Sequence, residues 1–427
     1  PLSGTGCMSD IVPRQPRRPI RFLFENSIFL VAGALIALVW ANIDEHSYAQ
    51  LFHGNTVHFL VNDLLMALFF AIATTEVWES LLPGGALSDP RKAATPLMAT
   101  LGGILGPVAI YLGGAVWFGE LDSLGRGWAV PCATDIAFSY LIARFIFGAG
   151  HPAIVFLLLL AIADDAIGLA ILAIAYPRNP IVASWFLLTV AAVATCFLFR
   201  RWRLHSFWWY LLIPGTMSWA SFVMAGVHPA LGLVPIIPCL PHAHTDLGLY
   251  AREELSRRDS LSELVSWWKN PVELILGLFG LVNAGVVLSS MGTGTWLVLG
   301  GLLIGKPAGI LGFTWISKRI FGLEIPDGMT FRHVLVIGLL AGIGFTVALF
   351  VSDAAFPKGP LQDSVKMGAL LSAVAGLLGW IVARLLNIKP TDTTGMTESP
   401  EPGSSPSLPA DDQDLSPSSG QGDERVT

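Results

Sequence analysis

Residues 156–176 read FLLLLAIADDAIGLAILAIAY, so two adjacent carboxylates lie in the middle of an apolar stretch. A membrane-spanning helix needs about 20 apolar residues, and this segment is long enough to cross a bilayer. Ionisable side chains inside a bilayer are costly and occur mainly where they have a function. Asp164 and Asp165 are therefore candidate functional residues of a membrane protein.

The composition of the whole chain agrees with this interpretation. Of the 427 residues, 53% are hydrophobic and 13% are charged, and the mean hydropathy is +0.63. A soluble domain has roughly 25% charged residues. The chain thus has too little charge to cover the surface of a soluble enzyme, a nucleic-acid binder or a disordered scaffold. Its four cysteines lack the spacing of a metal site or a disulfide framework.

Apolar runs of membrane-spanning length recur along the chain and predict an all-α polytopic membrane protein with about twelve transmembrane helices. The predicted spans are residues 26–42, 59–79, 93–118, 127–145, 151–175, 181–199, 207–224, 225–240, 271–289, 294–317, 331–352 and 366–387.

The positions of lysine and arginine test this topology. With twelve spans both termini lie on one side, and that side holds 20 of the 25 Lys and Arg residues. The opposite side holds four, and Lys306 lies inside span 10. Cytoplasmic loops carry an excess of Lys and Arg, so the distribution predicts that both termini are cytoplasmic.

The composition also divides the chain into segments. We predict a cytoplasmic N-terminal segment at residues 1–25 and a membrane domain at residues 26–390. Residues 391–427 contain eight acidic residues and one basic residue, so they carry a charge of −7 and leave +1 for residues 1–390. This last segment is rich in Pro, Ser and Gly and has too few apolar residues to offset the entropy of ordering. It is predicted to be a disordered cytoplasmic tail.

Lys306, in GGLLIGKPAGILGF (residues 300–313), is the one cation in the middle of a predicted span. Successive residues of a helix point about 100° apart, so Asp164 and Asp165 face different surroundings. One aspartate can line a cavity while the other pairs with Lys306, and such a coupled pair can exchange protons. The alternative is a fixed salt bridge that only joins two helices, although it would leave the second aspartate unpaired.

Span 4 contains GWAVPCATDIAFSYL (residues 127–141), in which Pro131 disrupts a helix because it lacks an N–H group. Thr134 and Asp135 then resemble the cap of a helix that starts again. One interpretation is a kink with its own N-cap. The other is a discontinuous helix whose free carbonyl groups and Thr134 hydroxyl face a cavity, since irregular backbone at membrane depth must face protein or water.

Span 11 carries a second candidate break, at Gly342 and Gly344 in VLVIGLLAGIGFTVALFVSD (residues 334–353). Spans 4 and 11 are the middle members of spans 3–5 and 10–12, and these two groups start on opposite sides of the membrane. Inverted repeats with a site between broken helices are typical of secondary transporters. Three more ionisable residues lie in or beside spans: Asp63 and Glu76 near opposite ends of span 2, and His228, which is either a gating residue or an interfacial histidine.

Seven strings of the chain resemble the NhaA-type sodium/proton antiporters and follow the family's order over roughly residues 20–390. They are NDLLMALFF (62–70), GWAVPCATDIAF (127–138), LAIADDAIG (160–168), GVHPALGLV (226–234), VNAGV (282–286), LIGKPAGI (303–310) and GIGFTVALF (342–350). The family has the inverted-repeat architecture of secondary transporters.

The resemblance implies that Asp165 binds the cation, that Asp164 is the second acid, and that Lys306 pairs with Asp164 in one protonation state. It implies that Thr134 and Asp135 lie where two unwound helices cross, and that the segment around Gly342 and Gly344 supplies the second unwound chain.

The activity implied by the resemblance is electrogenic export of Na⁺ or Li⁺ in exchange for a larger number of protons, for sodium and pH homeostasis. The implied location is the bacterial inner membrane. The implied partners are the lipid bilayer and a second copy of the chain, joined through residues 43–58. We expect no enzymatic activity, no cofactor and no nucleic-acid partner.

The chain departs from the family pattern after Glu76, where Trp78, Glu79 and Ser80 replace the usual basic pair and second glutamate. In the family this region responds to pH, so the candidates for a pH response are Glu76, Glu263 and His228. Three other functions remain open: a symporter or organic-anion transporter on the same fold, a passive cation channel, and an intramembrane aspartyl protease. A protease would need two facing acids on different helices, whereas Asp164 and Asp165 are adjacent.

Overall fold

A computed structural model describes residues 28–241 and 260–390, except for residues 53, 86, 89, 149, 205 and 389. The predicted N-terminal segment and acidic tail lie outside these residues. All regular structure in the described part of the chain is helical. The helices are α1 (Ile28–Ile43), α2 (Glu45–Phe52), α3 (Thr56–Leu81), α4 (Pro90–Trp117), α5 (Leu121–Cys132), α6 (Ile136–Phe147), α7 (Pro152–Ala175), α8 (Ala183–Arg201), α9 (207–225), α10 (Pro229–Cys239), α11 (Ser260–Asn283), α12 (Thr293–Ile320), α13 (Phe331–Ala341), α14 (Phe345–Ala355) and α15 (Pro360–Leu385).

Six of the described helices are long and apolar enough to cross a membrane, namely α3, α4, α7, α8, α12 and α15. Two further pairs, α5 with α6 and α13 with α14, meet the same criterion together and bend by 49° at a short break. The described residues therefore contain six spans, or up to eight, and the chain is a polytopic helical membrane protein.

Two of the predicted spans differ from the structure. The predicted span 225–240 contains no long α-helix, because the prolines at 229, 235 and 238 cannot donate helical hydrogen bonds and leave only short 3₁₀ turns. The predicted span 271–289 begins earlier, at Ser260, and ends at Asn283. Hydropathy alone missed its polar first turns.

The helices pack in two groups. The first group contains α4 to α7 and α12 to α15, and the second contains α1 to α3 and α8 to α11. Helices contact mainly members of their own group, and the largest contacts between groups join α3 to α7 and α11 to α14. The first group thus contains both broken pairs and the helix with the adjacent aspartates.

Helix α12 contains a π-helical turn, Gly301–Gly305, directly before Lys306. The Lys306 N–H donates to the carbonyl of Gly301, five residues earlier, and Pro307 has no N–H to donate. Such turns hold one residue more than an α-helical turn and often occur at functional sites. This turn sets the direction in which the Lys306 side chain leaves the helix.

Helices α4 and α12 pack with their backbones in contact. A Cβ atom at Gly102 would overlap the carbonyl oxygen of Gly309, and a Cβ atom at Gly309 would overlap that of Gly102. Small residues permit this close approach between membrane helices. The packing fixes α12, and with it Lys306, against α4.

Replacing Gly309 with alanine should therefore destabilise the fold, because the added methyl group must push the two backbones apart. We expect a loss of about 1–3 kcal/mol, measured as a lower thermal midpoint of the detergent-purified protein. Gly312→Ala on the same helix is the matched control, since a Cβ there meets nothing within 4 Å. Equal thermal midpoints for the two variants would contradict this account of the packing.

Candidate functional site

The two breaks lie against each other. The backbone N–H of Asp135, in the break between α5 and α6, donates to the carbonyl of Ile343 at 2.7 Å. The hydroxyl of Thr134 lies 3.2 Å from the carbonyl of Ala341, the last residue of α13. Each break therefore satisfies backbone groups of the other, as irregular backbone at membrane depth requires.

Asp135 connects the first turns of the two helices that follow the breaks. Its side chain caps α6 by accepting the N–H of Phe138 at 3.1 Å. It also accepts the N–H of Thr346 in α14 at 3.3 Å, together with the Thr346 hydroxyl. A carboxylate is stabilised at the positive end of a helix, and here one carboxylate serves two helix ends. The predicted cap at Asp135 is present.

Asp164 forms a buried ion pair with Lys306. The Lys306 Nζ lies 3.0 Å from Asp164 Oδ2 and also donates to the carbonyl of Cys132. The Thr134 hydroxyl lies 2.7 Å from the same carboxylate oxygen. Lys306 is 0% exposed and Asp164 4% exposed. Asp164 is thus held between the first break and α12 by a charged and a neutral donor.

Asp165 has different surroundings. It is half-buried, and no described residue donates a hydrogen bond to its carboxylate. The side chain lines a cavity of about 580 Å³, which we call the first cavity and which Glu76 and Asp135 also line. The two adjacent aspartates of α7 therefore differ: Asp164 is paired, and Asp165 faces a cavity.

The other predicted site residues divide by position. Gly342 and Gly344 lie in the second break, where a Cβ at Gly342 would approach the Leu302 carbonyl and the Gly344 N–H lies 3.1 Å from Ser372 Oγ. Glu76 lines the first cavity. The structure does not place Glu263 or His228 there: Glu263 lies near the start of α11, and His228 lines a second cavity described below.

Three residues around the first cavity escaped the sequence analysis. Thr346, the partner of Asp135, lies two residues beyond Gly344 in a string that already stood out. Lys269 and Glu273 of α11 line the first cavity. Their spacing of four residues places them on one face of a helix. The predicted span 271–289 begins after Lys269 and so leaves that residue in a loop.

The described residues contain no group of three or more His, Cys, Asp or Glu side chains arranged to hold a metal ion. A hard cation such as Na⁺ takes oxygen ligands, and Asp165 offers a carboxylate with free lone pairs beside the first cavity.

Apolar spans, two crossing broken helices and an unpaired carboxylate beside a cavity define a membrane ion transporter. Residues 21–383 match the family described as Na⁺/H⁺ antiporter 1, and the chain belongs to this family. The family consists of transporters rather than catalytic enzymes.

Curated relatives carry the same assignment over nearly their full length. The Na⁺/H⁺ antiporter NhaA of Jannaschia sp. (strain CCS1) is 48% identical over 86% of this chain and 98% of its own. The corresponding proteins of Geobacter metallireducens and Geobacter sulfurreducens are 47% and 45% identical, over 87% of this chain and 99% of theirs. Na⁺/H⁺ antiport, predicted from the sequence, is confirmed.

The ion pair predicts how the fold responds to loss of one charge. Lys306→Gln should lower the thermal midpoint strongly, because it leaves Asp164 buried without a counter-charge, at a cost of about 3–5 kcal/mol. The double variant Lys306→Gln/Asp164→Asn contains no buried charge at this position and should regain most of the loss. A double variant no more stable than Lys306→Gln would contradict this interpretation of the pair.

Proposed function

We propose that the chain exports Na⁺ or Li⁺ from the cytoplasm in exchange for incoming protons, and that Asp165 is the carboxylate for which these ions compete. The observation that carries this proposal is the contrast between the adjacent aspartates. Asp164 already accepts bonds from Lys306 and Thr134, whereas Asp165 is free of protein donors among the described residues and faces the first cavity.

The coupling follows from this competition. A desolvated Asp165 holds either a proton or Na⁺, so cation binding releases the proton and proton binding releases the cation. Moving the empty, charged site across the membrane interior is costly. The site therefore changes sides when it holds a proton or a cation. The inward proton gradient then drives Na⁺ outward without any covalent chemistry or cofactor.

The exchange is proposed to be electrogenic. If Na⁺ binding releases one proton from Asp165 and a second from the Asp164–Lys306 pair, two protons exchange for one cation and one charge moves per cycle. The support is that both carboxylates lie next to each other and only one has a cationic partner. In such coupled groups each protonation step belongs to the pair rather than to either residue, so a change at Asp165 alters the proton affinity of its neighbours.

For the arrangement in the membrane we propose twelve spans with inverted repeats at spans 3–5 and 10–12. The bent pairs α5/α6 and α13/α14 support the two discontinuous middle spans, and the Lys and Arg distribution supports cytoplasmic termini. The family resemblance supports a bacterial inner-membrane homodimer joined through residues 43–58, with a role in sodium and pH homeostasis.

Asp165→Asn should abolish exchange, since a neutral amide neither takes up and releases a proton nor offers a negative charge to a cation. Everted vesicles that contain the unmutated chain should lose an imposed acid gradient on addition of Na⁺ or Li⁺, but not of K⁺. The loss should be faster when K⁺ and valinomycin dissipate the potential that an electrogenic exchange creates.

Asp327→Asn, a change of the same kind at an exposed residue, serves as control, and the thermal midpoint shows that each variant folds. Near-normal Na⁺-driven loss of the gradient in a folded Asp165→Asn variant would overturn the assignment. A Na⁺ flux without proton movement in the unmutated chain would favour a channel.

Glu76→Gln should raise the apparent KM for Na⁺ without abolishing exchange. Glu76 lines the first cavity, and clefts lined by one sign of charge concentrate the opposite ion. We expect an increase of about two- to tenfold that shrinks at high ionic strength, because salt screens the attraction. Glu263→Gln, outside the first cavity, should leave KM near its original value, and equal effects of both changes would contradict the proposal.

A further inference from the structure

A second cluster of charged residues surrounds Asp353, near the end of α14 that is farthest from the break. The Asp353 carboxylate is 3.0 Å from the Asn62 amide nitrogen, 3.2 Å from His58 Nε2, 3.2 Å from the Gln362 amide nitrogen and 3.4 Å from Lys366 Nζ. Its side chain is 8% exposed. One carboxylate of α14 thus makes contacts with two other helices, α3 and α15.

Asp63, next to Asn62 on α3, forms a second ion pair. Its Oδ2 lies 2.5 Å from Arg178 Nη1, and its own side chain is 1% exposed whereas that of Arg178 is 45% exposed. The indole N–H of Trp219 in α9 donates to the Asp63 carbonyl at 3.1 Å. Asn62 also exchanges hydrogen bonds of 3.0 and 2.8 Å with Asn283, the last residue of α11.

The contacts of Asp353 cross between the two helix groups. Asp353 and Lys366 belong to the first group, whereas His58 and Asn62 belong to α3 of the second group. The Arg178 N–H donates to the carbonyl of Gly226, directly after α9, so the Asp63–Arg178 pair lies within the second group. Direct contact between the groups is otherwise concentrated in α3 with α7 and α11 with α14. The contacts of Asp353 therefore tie the two groups together at one end of the molecule.

A second cavity, of about 330 Å³, lies at these contacts and is lined by His58, Asp63, Arg178, His228 and Asp353, among others. Between it and Asp165 lies a narrow apolar neck of about 40 Å³, lined by Phe70, Leu172 and Phe350. Tyr176 lines both the neck and the second cavity, and Asp165 lines both the neck and the first cavity. The neck therefore lies between the two cavities and adjoins each of them.

We propose that the second cavity is the other mouth of the ion route and that the contacts of Asp353 with His58 and Asn62 form a latch that holds this mouth closed while the first cavity is open. Opening the neck requires the two helix groups to separate at this end, and the groups cannot separate there while Asp353 of α14 holds α3. Under the proposed topology this end faces the periplasm, so identification of the two sides rests on the proposed function.

The chemistry of the latch suits repeated opening. Asp353 and His58 line the second cavity, so water can solvate both side chains once they part. Buried ion pairs contribute little net stability when solvation can replace the partner. Two further basic residues, Arg126 and Lys358, also line this cavity. Together with Arg178 they give the closed mouth a positive lining, which repels an approaching cation.

Thiol labelling tests the latch without requiring transport. In a chain whose four cysteines are replaced by serine, Leu172→Cys places one thiol in the neck. A small, membrane-impermeant cationic methanethiosulfonate reagent is then applied to right-side-out and to everted vesicles. We expect Asp353→Asn to raise the labelling rate from the periplasmic side about tenfold, through a shift of population toward the open mouth. Asp353→Glu and Asp122→Asn, the latter at an exposed residue, should label at the original rate.

A second variant covers the case in which Asp353→Asn does not fold. His58→Cys/Gln362→Cys keeps Asp353 and places one thiol in α3 and one in α15, both at the second cavity. Joined by a bifunctional methanethiosulfonate linker, this variant should lose Na⁺/H⁺ exchange and regain it after reduction of the linker. Unchanged periplasmic labelling in folded Asp353→Asn, or full exchange in the linked protein, would overturn the latch. Faster labelling from the opposite side would support the latch and overturn the proposed topology instead.

Discussion

A buried ion pair in the membrane interior imposes the main constraint on this structure. Lys306 is fully buried, and a lone ammonium group at that depth would be very costly. Its contacts with Asp164 and with the Cys132 carbonyl compensate for that burial. The carbonyl is accessible because α5 ends at Cys132, so the break in the helix is part of the solvation of the lysine.

The rest of the site follows from this constraint. Since Asp164 compensates Lys306, Asp165 has no hydrogen-bond donor among the described residues, and it is the carboxylate that we propose for the transported ions. Asp135 serves a different purpose, because it stabilises the first turns of α6 and α14, whose positive ends would otherwise repel a cation nearby. Three aspartates in one region thus have different surroundings, and Asp165 is the one that we propose to bind and release ions.

The sequence predicted the features that depend on local chemistry. Pro131 indicated the first break, Gly342 and Gly344 the second, and the burial of Lys306 required an acidic partner. Prediction from the sequence failed where the structure depends on packing or on backbone hydrogen bonding. The run at residues 225–240 is apolar enough for a span, but its prolines prevent a continuous helix. The cluster around Asp353 escaped notice because His58 and Asn62 lie 295 and 291 residues before it in the chain, and no spacing rule relates positions so far apart.

The π-helical turn before Lys306 has a mechanical consequence. Because the Lys306 N–H binds the Gly301 carbonyl and Pro307 has no N–H, neither residue can satisfy the carbonyl of Leu302. That carbonyl lies against Gly342, in the second break. A rotation of α12 about its axis would therefore move the lysine and press on the unwound chain at the same time. Lys306 and the second break therefore adjoin the same turn of α12, so neither can move independently of that turn.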